Sequence, residues 1–339
     1  MVGAVQTATI MSLRGGAMRL LLCLLAPGFW AAPVDCALAQ GGKYPTKPIR
    51  LIVPFAPGGG TDIVARIIAQ RMSDTLGQPV IVDNRPGAGG TVGAETTVRS
   101  QPDGYTLAMV SGSYATNAAV YKLAYDPVND IEPISIIGES AFVLVVHPSV
   151  PAKSVQELIA LARSKPGELN YGSTGTGGIT HLASELFDLL AGTRMTHVPY
   201  KGTGPSLTAL LGNQIQVMFA ALPAAIAHVK ANRLRGLAVT SQKPVAPLPG
   251  LPPLAETVKG YEVVLWWGLL GPRGLPRDIV AVWNKGVEQT LQTKEMQERL
   301  ATEGVDPMGG PPERFRSAIK RDVEKWNRVV KQAKVSLQG

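Results

Sequence analysis

The sequence predicts an α/β protein of two lobes with a ligand cleft between them. Three observations predict it. Short β-branched runs alternate with helical patterns along the chain, the signature of sheets covered by helices. Two strand ends run into unusually glycine-rich loops, each of which opens a helix. Two apolar stretches, residues 134–146 and 263–270, read as strands that pass from one lobe to the other.

The first element is a segment that the mature chain is not expected to keep. Arg14 and Arg19 precede an apolar run over residues 20–26, and Ala37 and Ala39 place small residues just before Gln40. That order is a cleavable secretory signal peptide; the run is well short of the roughly 20 residues needed to span a bilayer. Residues 1–39 are expected to be removed and the protein exported. Cys23 and Cys36, the only two cysteines, lie in that segment. The mature chain is therefore expected to hold no disulfide, thiolate nucleophile or cysteine metal site.

Lys and Arg number 33 against 25 Asp and Glu, a formal charge of +8. The positive residues are spread with no run of three or more, so the excess reads as a solvated surface rather than a nucleic-acid footprint.

Residues 49–55 form the first strand. After Pro57-Gly58-Gly59-Gly60 comes a helix in which Ile63, Val64, Ile67, Ile68 and Met72 recur every three to four residues. Residues 80–82 make the second strand, followed by the glycine-rich Arg85-Pro86-Gly87-Ala88-Gly89-Gly90. Pro102-Asp103-Gly104 turns the chain into a third strand over residues 105–110. The stretch 134–146, broken at Gly138-Glu139-Ser140, crosses to the second lobe.

That lobe opens at Ser154-Val155-Gln156-Glu157, a capping box that starts a helix ending near Gly167. A strand over 169–172 leads into Ser173-Thr174-Gly175-Thr176-Gly177-Gly178 and a helix with Leu182, Leu186 and Leu189 on one face. Val198 marks a strand, Leu207 with Leu210 and Leu211 a helix, and residues 217–219 and 234–239 two further strands. From 263 the chain returns and closes with two amphipathic helices, Ile279/Val282/Trp283/Val287/Leu291 and Phe315/Ile319/Val323/Trp326/Val330. The expected plan is lobe one over 43–140 and 267–339, lobe two over 141–266, and a hinge near 140–142 and 264–268.

In parallel sheets ligands bind outside the carboxyl ends of the strands. A helix start there offers unpaired N–H groups and the positive end of the helix dipole, and glycine lets an oxygen come close. Glycine-rich loops at 57–62 and 173–178, one in each lobe, make a two-sided anion clamp. Enzyme patterns fail. Gly87-Ala88-Gly89 lacks the last glycine and the acidic residue of a dinucleotide fingerprint. The spacing Gly172 to Gly177 is that of a phosphate loop, but Gly178-Ile179 replaces its Lys-Ser/Thr. There is no Gly-x-Ser-x-Gly elbow around Ser111, Ser113 or Ser173. Of His147, His181, His197 and His228, only His181 has a carboxylate one turn away, Glu185, and two ligands do not make a metal site. His181 reads instead as a packing or hydrogen-bonding residue in the first turn of its helix. No catalytic residue, metal or cofactor is expected.

Several stretches together carry a resemblance. These are Tyr44-Pro45 and the continuous run from Ile49 to Asp62, Asp83-Asn84-Arg85-Pro86-Gly87-Ala88-Gly89-Gly90, and Pro102-Asp103-Gly104-Tyr105-Thr106-Leu107. His197-Val198-Pro199-Tyr200-Lys201-Gly202 and Trp267-Gly268-Leu269 followed by Gly271-Pro272 extend it over residues 43–333. The chain resembles the tripartite tricarboxylate transporter receptors, the Bug family of periplasmic solute-binding proteins. The resemblance implies a type 2 periplasmic-binding-protein fold and a small carboxylate held between the lobes by backbone groups and bridging waters. Its partners would be membrane permease subunits, or a sensor kinase if the protein signals without transport.

Carried onto this sequence, the ligand-binding residues are Phe55, Ala56, Gly58, Gly59, Gly60, Thr61 and Asp62 of the first loop, with Ser111, Gly112 and Ser113 in the middle. Ser173, Thr174, Gly175, Thr176, Gly177 and Gly178 form the second loop, joined by His181 and Tyr200. The chain departs from the family at Gly178, where Ser or Thr is usual. Asp62 beside an anion site would repel the ligand, so it is expected to face back and cap N–H groups of its own helix; the alternative is that it meets the ammonium group of an amino-acid ligand.

Overall fold

The computed structural model describes residues 44–333; the expected signal peptide lies outside the described residues. The first half builds β1 (Ile49–Val53), α1 (Gly60–Leu76), β2 (Val80–Asn84), α2 (Thr91–Val98), β3 (Thr106–Ser111), α3 (Ser113–Val120) and β4 (Ile131–Ser140). One residue, Ala141, separates β4 from β5 (Phe142–Val146), which belongs to another sheet. Then follow α4 (Val155–Ser164), β6 (Asn170–Ser173), α5 (Ile179–Ala191), β7 (Thr196–Pro199), α6 (Thr203–Leu211), β8 (Val217–Ala221), α7 (Leu222–Lys230), β9 (Arg235–Val239) and α8 (Leu254–Thr257). The chain returns through β10 (Leu265–Pro272) and ends in α9 (Arg277–Gln292), α10 (Lys294–Thr302), β11 (Val305–Pro307) and α11 (Pro312–Ala333).

One sheet has the order β11-β4-β10-β3-β1-β2 and the other β7-β6-β8-β5-β9. Both are mixed rather than parallel as the alternating pattern suggested. β1 runs parallel to β2 and β3, and β6 to β7 and β8, while β10 opposes β3 and β4, and β5 opposes β8 and β9. The crossings explain the difference. β3, β4, β8 and β9 finish level with the starts of β5 and β10, as Trp267↔Ser111, Leu265↔Ser140, Phe142↔Ala221 and Val143↔Val239 show. A strand that enters a lobe from the other lobe starts at the cleft and must run against neighbours that end there.

Local signals place the helices. Ser154 Oγ accepts the Glu157 N–H at 3.1 Å, while the Glu157 carboxylate accepts the Lys153 N–H at 2.6 Å, closing the capping box one residue earlier than its usual form. Two apolar assignments need correction. Leu189 is 55% exposed, and Val282 is 37% exposed. At about 100° per residue, the stripe that α5 buries is centred on Ala183 and Phe187, with Leu182 at its margin and Leu189 beyond it. On α9 the buried stripe follows Ile279, Trp283, Val287 and Leu291, and Val282 falls on the other flank. α3 and α7, not read from the sequence, are short helices that begin beside the cleft.

Candidate functional site

A small cavity, of about 20 Å³, lies where the strand ends of the two sheets meet. From the side of the six-stranded sheet it is lined by Phe55, Gly59, Gly60, Thr61, Ser111, Ser113, Leu265 and Trp267. From the side of the five-stranded sheet it is lined by Phe142, Thr174, Ile179, Thr180, Thr203 and Ala221. Five helices start at its wall: α1 at Gly60, α3 at Ser113, α5 at Ile179, α6 at Thr203, and α7 just after Ala221. A helix start carries first-turn N–H groups without an intrahelical acceptor and about half a positive charge, although in α7 the Leu222 N–H is taken by Ala141 O and Pro223 has none. Among the lining residues none carries a charged or titratable acid or base. The walls are otherwise apolar, from Phe55, Phe142, Ile179, Leu265 and Trp267.

Hydroxyls supply the side-chain polarity. Thr61 Oγ1 accepts the Trp267 indole N–H at 3.1 Å. Ser113 Oγ accepts the Ile179 N–H at 3.1 Å, from one lobe to the other. Thr180 Oγ1 accepts the Thr174 N–H at 2.8 Å and lies 3.0 Å from Thr174 Oγ1. Ser111 and Thr203 complete the set.

Close approach depends on missing side chains at two places. A Cβ on Gly60 would stand 2.8 Å from Ala221 Cβ and 3.1 Å from the Trp267 ring, so glycine lets the start of α1 press against the end of β8. A Cβ on Gly178 would stand 2.6 Å from Thr174 Oγ1. Thr174 thus occupies the space that a side chain at 178 would need, and its hydroxyl lies on the wall that Gly178 cannot furnish.

Of the residues expected to bind, Phe55, Gly59, Gly60, Thr61, Ser111, Ser113 and Thr174 line the cavity. The others stand behind it or hold the lobes together. The Ala56 N–H donates to Lys201 O at 2.9 Å, and the Gly112 N–H to Trp266 O at 3.2 Å. The Gly178 N–H donates to Gly175 O at 3.0 Å, and the Tyr200 N–H to Ser173 O at 3.2 Å. Thr176 O and Gly177 O accept from Tyr121 OH at 2.9 Å and Thr116 Oγ1 at 2.8 Å, so α3 and the residue after it dock the second loop.

Asp62 turns away from the cavity. Its carboxylate accepts the Gly58 N–H at 3.0 Å, Arg66 Nε at 3.0 Å and Asn84 Nδ2 at 3.0 Å. Burial alone would raise its carboxyl, but the bonds from Arg66, Gly58 and Asn84 outweigh it and hold the group below the usual range.

Behind the second loop three rings stack. His181 and His197 lie 4.0 Å apart between centroids, and Tyr171 stacks on His197 at 5.0 Å. His181 Nδ1 accepts the Gly177 N–H at 3.2 Å, and His197 Nε2 lies 2.6 Å from Ser173 Oγ, which accepts the Gly175 N–H at 3.1 Å. Burial lowers His181 to about 4. Burial, with the neighbouring His181, lowers His197 to about 3. Both rings are neutral supports of the loop.

The sequence reading missed Phe142, Ile179, Thr180, Thr203, Ala221, Leu265 and Trp267. Gly202-Thr203-Gly204 after a strand was a usable sign of a third glycine-flanked helix start. Ile179 and Thr180 follow directly from the second loop. Nothing local marks Phe142, Leu265 or Ala221, which reach the cavity because strands cross or end there.

Two lobes joined by crossing strands, with helix starts converging on the cleft, define a type 2 periplasmic-binding-protein fold and a solute-binding class of protein. The comparisons agree. The family model described as tripartite tricarboxylate transporter family receptor matches residues 64–335, and the chain belongs to that family. Protein BugT of Bordetella pertussis is 35% identical over 314 residues, covering 91% of this chain and 94% of that one. Among solved structures, the periplasmic binding protein BugD superposes with a TM-score of 0.84 at 32% identity, covering 86% of this chain and 99% of that one. An R. palustris protein with adipate gives 0.83 at 38% identity, covering 86% and 98%. MatC from Rhodopseudomonas palustris with bound malate gives 0.81 at 31% identity, covering 85% and 100%.

Proposed function

We propose that this protein is an exported receptor that closes its lobes on a small carboxylate and delivers it, chemically unchanged, to the permease subunits of a tripartite tricarboxylate-type transporter. The observation that carries the reading is the convergence of five helix starts on one cavity whose lining has no charged side chain. N–H and O–H donors satisfy a carboxylate, whereas a cation would leave them unpaired and a neutral sugar would add a proton of its own with each hydroxyl acceptor. The adipate- and malate-bound relatives support the same class of ligand.

The lining also lacks a nucleophile paired with a base, which supports binding without turnover. Lobe one takes residues 43–140 and 267–339, lobe two takes 141–266, and the hinge lies at 140–142 and 264–268. The ligand-binding set is the cavity lining, with Asp62, His181 and Tyr200 as supports.

A thermal-shift screen of organic acids against the mature protein tests the reading. The bound acid should stabilise in a concentration-dependent way, by about 2.7 kcal/mol at 100 times its dissociation constant. Native mass spectrometry should return the same acid intact at one per chain. Stabilisation by neutral sugars or cations alone overturns the proposal.

A further inference from the structure

The hydroxyls around the cavity share a pattern that helix starts by themselves do not produce. Three of them accept a hydrogen bond from a fixed N–H. Thr61 Oγ1 takes it from the Trp267 indole at 3.1 Å, Ser113 Oγ from the Ile179 amide at 3.1 Å, and Thr180 Oγ1 from the Thr174 amide at 2.8 Å. A hydroxyl has a single proton. Neither Thr61 nor Ser113 donates that proton to any protein acceptor among the described residues, and Thr174 and Thr180 can use only one of their two protons between them. Thr61, Ser113, Thr174 and Thr180 are all buried, so a proton without an acceptor there is costly. The remaining acceptor is an occupant of the cavity, water or ligand.

Of the three N–H groups, two belong to the backbone that forms the loop. The third is a side chain. Trp267 is fully buried on β10, lines the cavity, and donates its indole N–H to Thr61. We propose that Trp267 is a positioning residue for ligand selection: by donating to Thr61 Oγ1, it leaves the Thr61 hydroxyl as a donor into the cavity and tunes the site to the acceptor-only, ionised carboxylate. The inference rests on the reading of the cavity as a carboxylate site and adds the residue that sets its hydrogen-bonding sense. An occupant that brings its own N–H or O–H to that position, as a carboxamide in place of a carboxylate would, meets an oxygen with one of its two lone pairs already taken.

The chemistry separates this role from packing. Trp267→Phe keeps a large ring but removes the N–H. Thr61→Val keeps the shape of Thr61 but removes the hydroxyl, and Thr61→Ser retains it. Adipate and L-malate serve as test ligands, measured by isothermal titration with the mature wild-type protein and each variant. With the acid that binds, Thr61→Val is expected to weaken binding at least tenfold and Thr61→Ser less than threefold. Trp267→Phe is expected to weaken it three- to tenfold in the Thr61 background. In the Thr61→Val background the same change is expected to alter affinity less than twofold, because the group through which Trp267 acts is already gone.

Equal losses from Trp267→Phe in both backgrounds overturn the proposal and assign Trp267 to packing alone, while the carboxylate reading stands. Should Trp267→Phe unfold the protein, Thr61→Val against Thr61→Ser still decides, and near-equal affinities of those two overturn it. Absence of any carboxylate binding by the wild type overturns the reading of the site and this proposal together.

Discussion

Ser113 caps a helix to which it does not belong. It stands at the start of α3 in one lobe, and its Oγ accepts the Ile179 N–H of α5 in the other at 3.1 Å. The residue at the N-cap of α5 is Gly178, which has no side chain for the task. The helix start is therefore satisfied only when the lobes are together.

Loss of that cap should be felt as loss of closure. Replacing a capping hydroxyl costs about 0.5–2 kcal/mol, so Ser113→Ala is expected to weaken ligand binding by about 2- to 30-fold at 1.4 kcal/mol per tenfold. Titration calorimetry measures it. Affinity equal to wild type would mean that the bond is not made in the bound form.

Thr174 and Gly178 should behave as one unit. A serine at 178 puts Cβ 2.6 Å from Thr174 Oγ1, and overpacking of that kind costs about 1–3 kcal/mol. Gly178→Ser should lower stability in urea denaturation by that amount, and adding Thr174→Ala should recover most of it. Simple addition of the two single effects would remove the steric account.

Asp62 should matter for stability rather than affinity. Its carboxylate holds Gly58, Arg66 and Asn84, and hydrogen bonds to a charged group are worth about 1.5–3 kcal/mol each before relaxation. Asp62→Asn is expected to destabilise the fold by about 1–3 kcal/mol and leave affinity for an amine-free carboxylate within a few-fold. Its folded pKa is lowered, so its contribution is present above the unfolded value and fades as pH falls through the folded one. Selective loss of amino-acid binding in the variant would instead make Asp62 an ammonium partner.

The stacked histidines predict acid sensitivity of the opposite origin. His181 is lowered to about 4 and His197 to about 3, both below an unfolded value of about 6.5. Unfolding therefore takes up protons, and stability should fall as pH drops from about 6.5 towards 4, by on the order of 1–2 kcal/mol per histidine at pH 5. Glu185 beside them is raised by burial and works against the trend. His197→Phe keeps the stack and should flatten the change in denaturation free energy between pH 7 and pH 5. Parallel curves for variant and wild type would refute the neutral-support role.

Much of the fold was legible because its signals are local. The β1 and β3 runs, the repeat Val64, Ile68, Met72 on α1, and the Ser154 cap each depend on residues within a few positions. The cavity lining was legible where a loop announces a helix start, as at Gly59-Gly60-Thr61 and Thr174. It was not legible at Leu265, Phe142 and Ala221, whose neighbours in space are far away in sequence. His181 and Tyr200, included in the expected binding set, lie outside the cavity lining and bond to the second loop at the Gly177 N–H and Ser173 O.

The sequence by itself determined the alternation of strands and helices, the two glycine-rich helix starts and the family resemblance, because backbone preference and hydrophobic period act over short stretches. Tertiary structure alone decided that β5 and β10 oppose their neighbours, that five helix starts share one cavity, and that the Trp267 indole meets Thr61 across 206 positions at 3.1 Å. Hydrogen bonds and close packing are contacts in space. Which distant residues share them is set only once the chain has crossed between the lobes and returned.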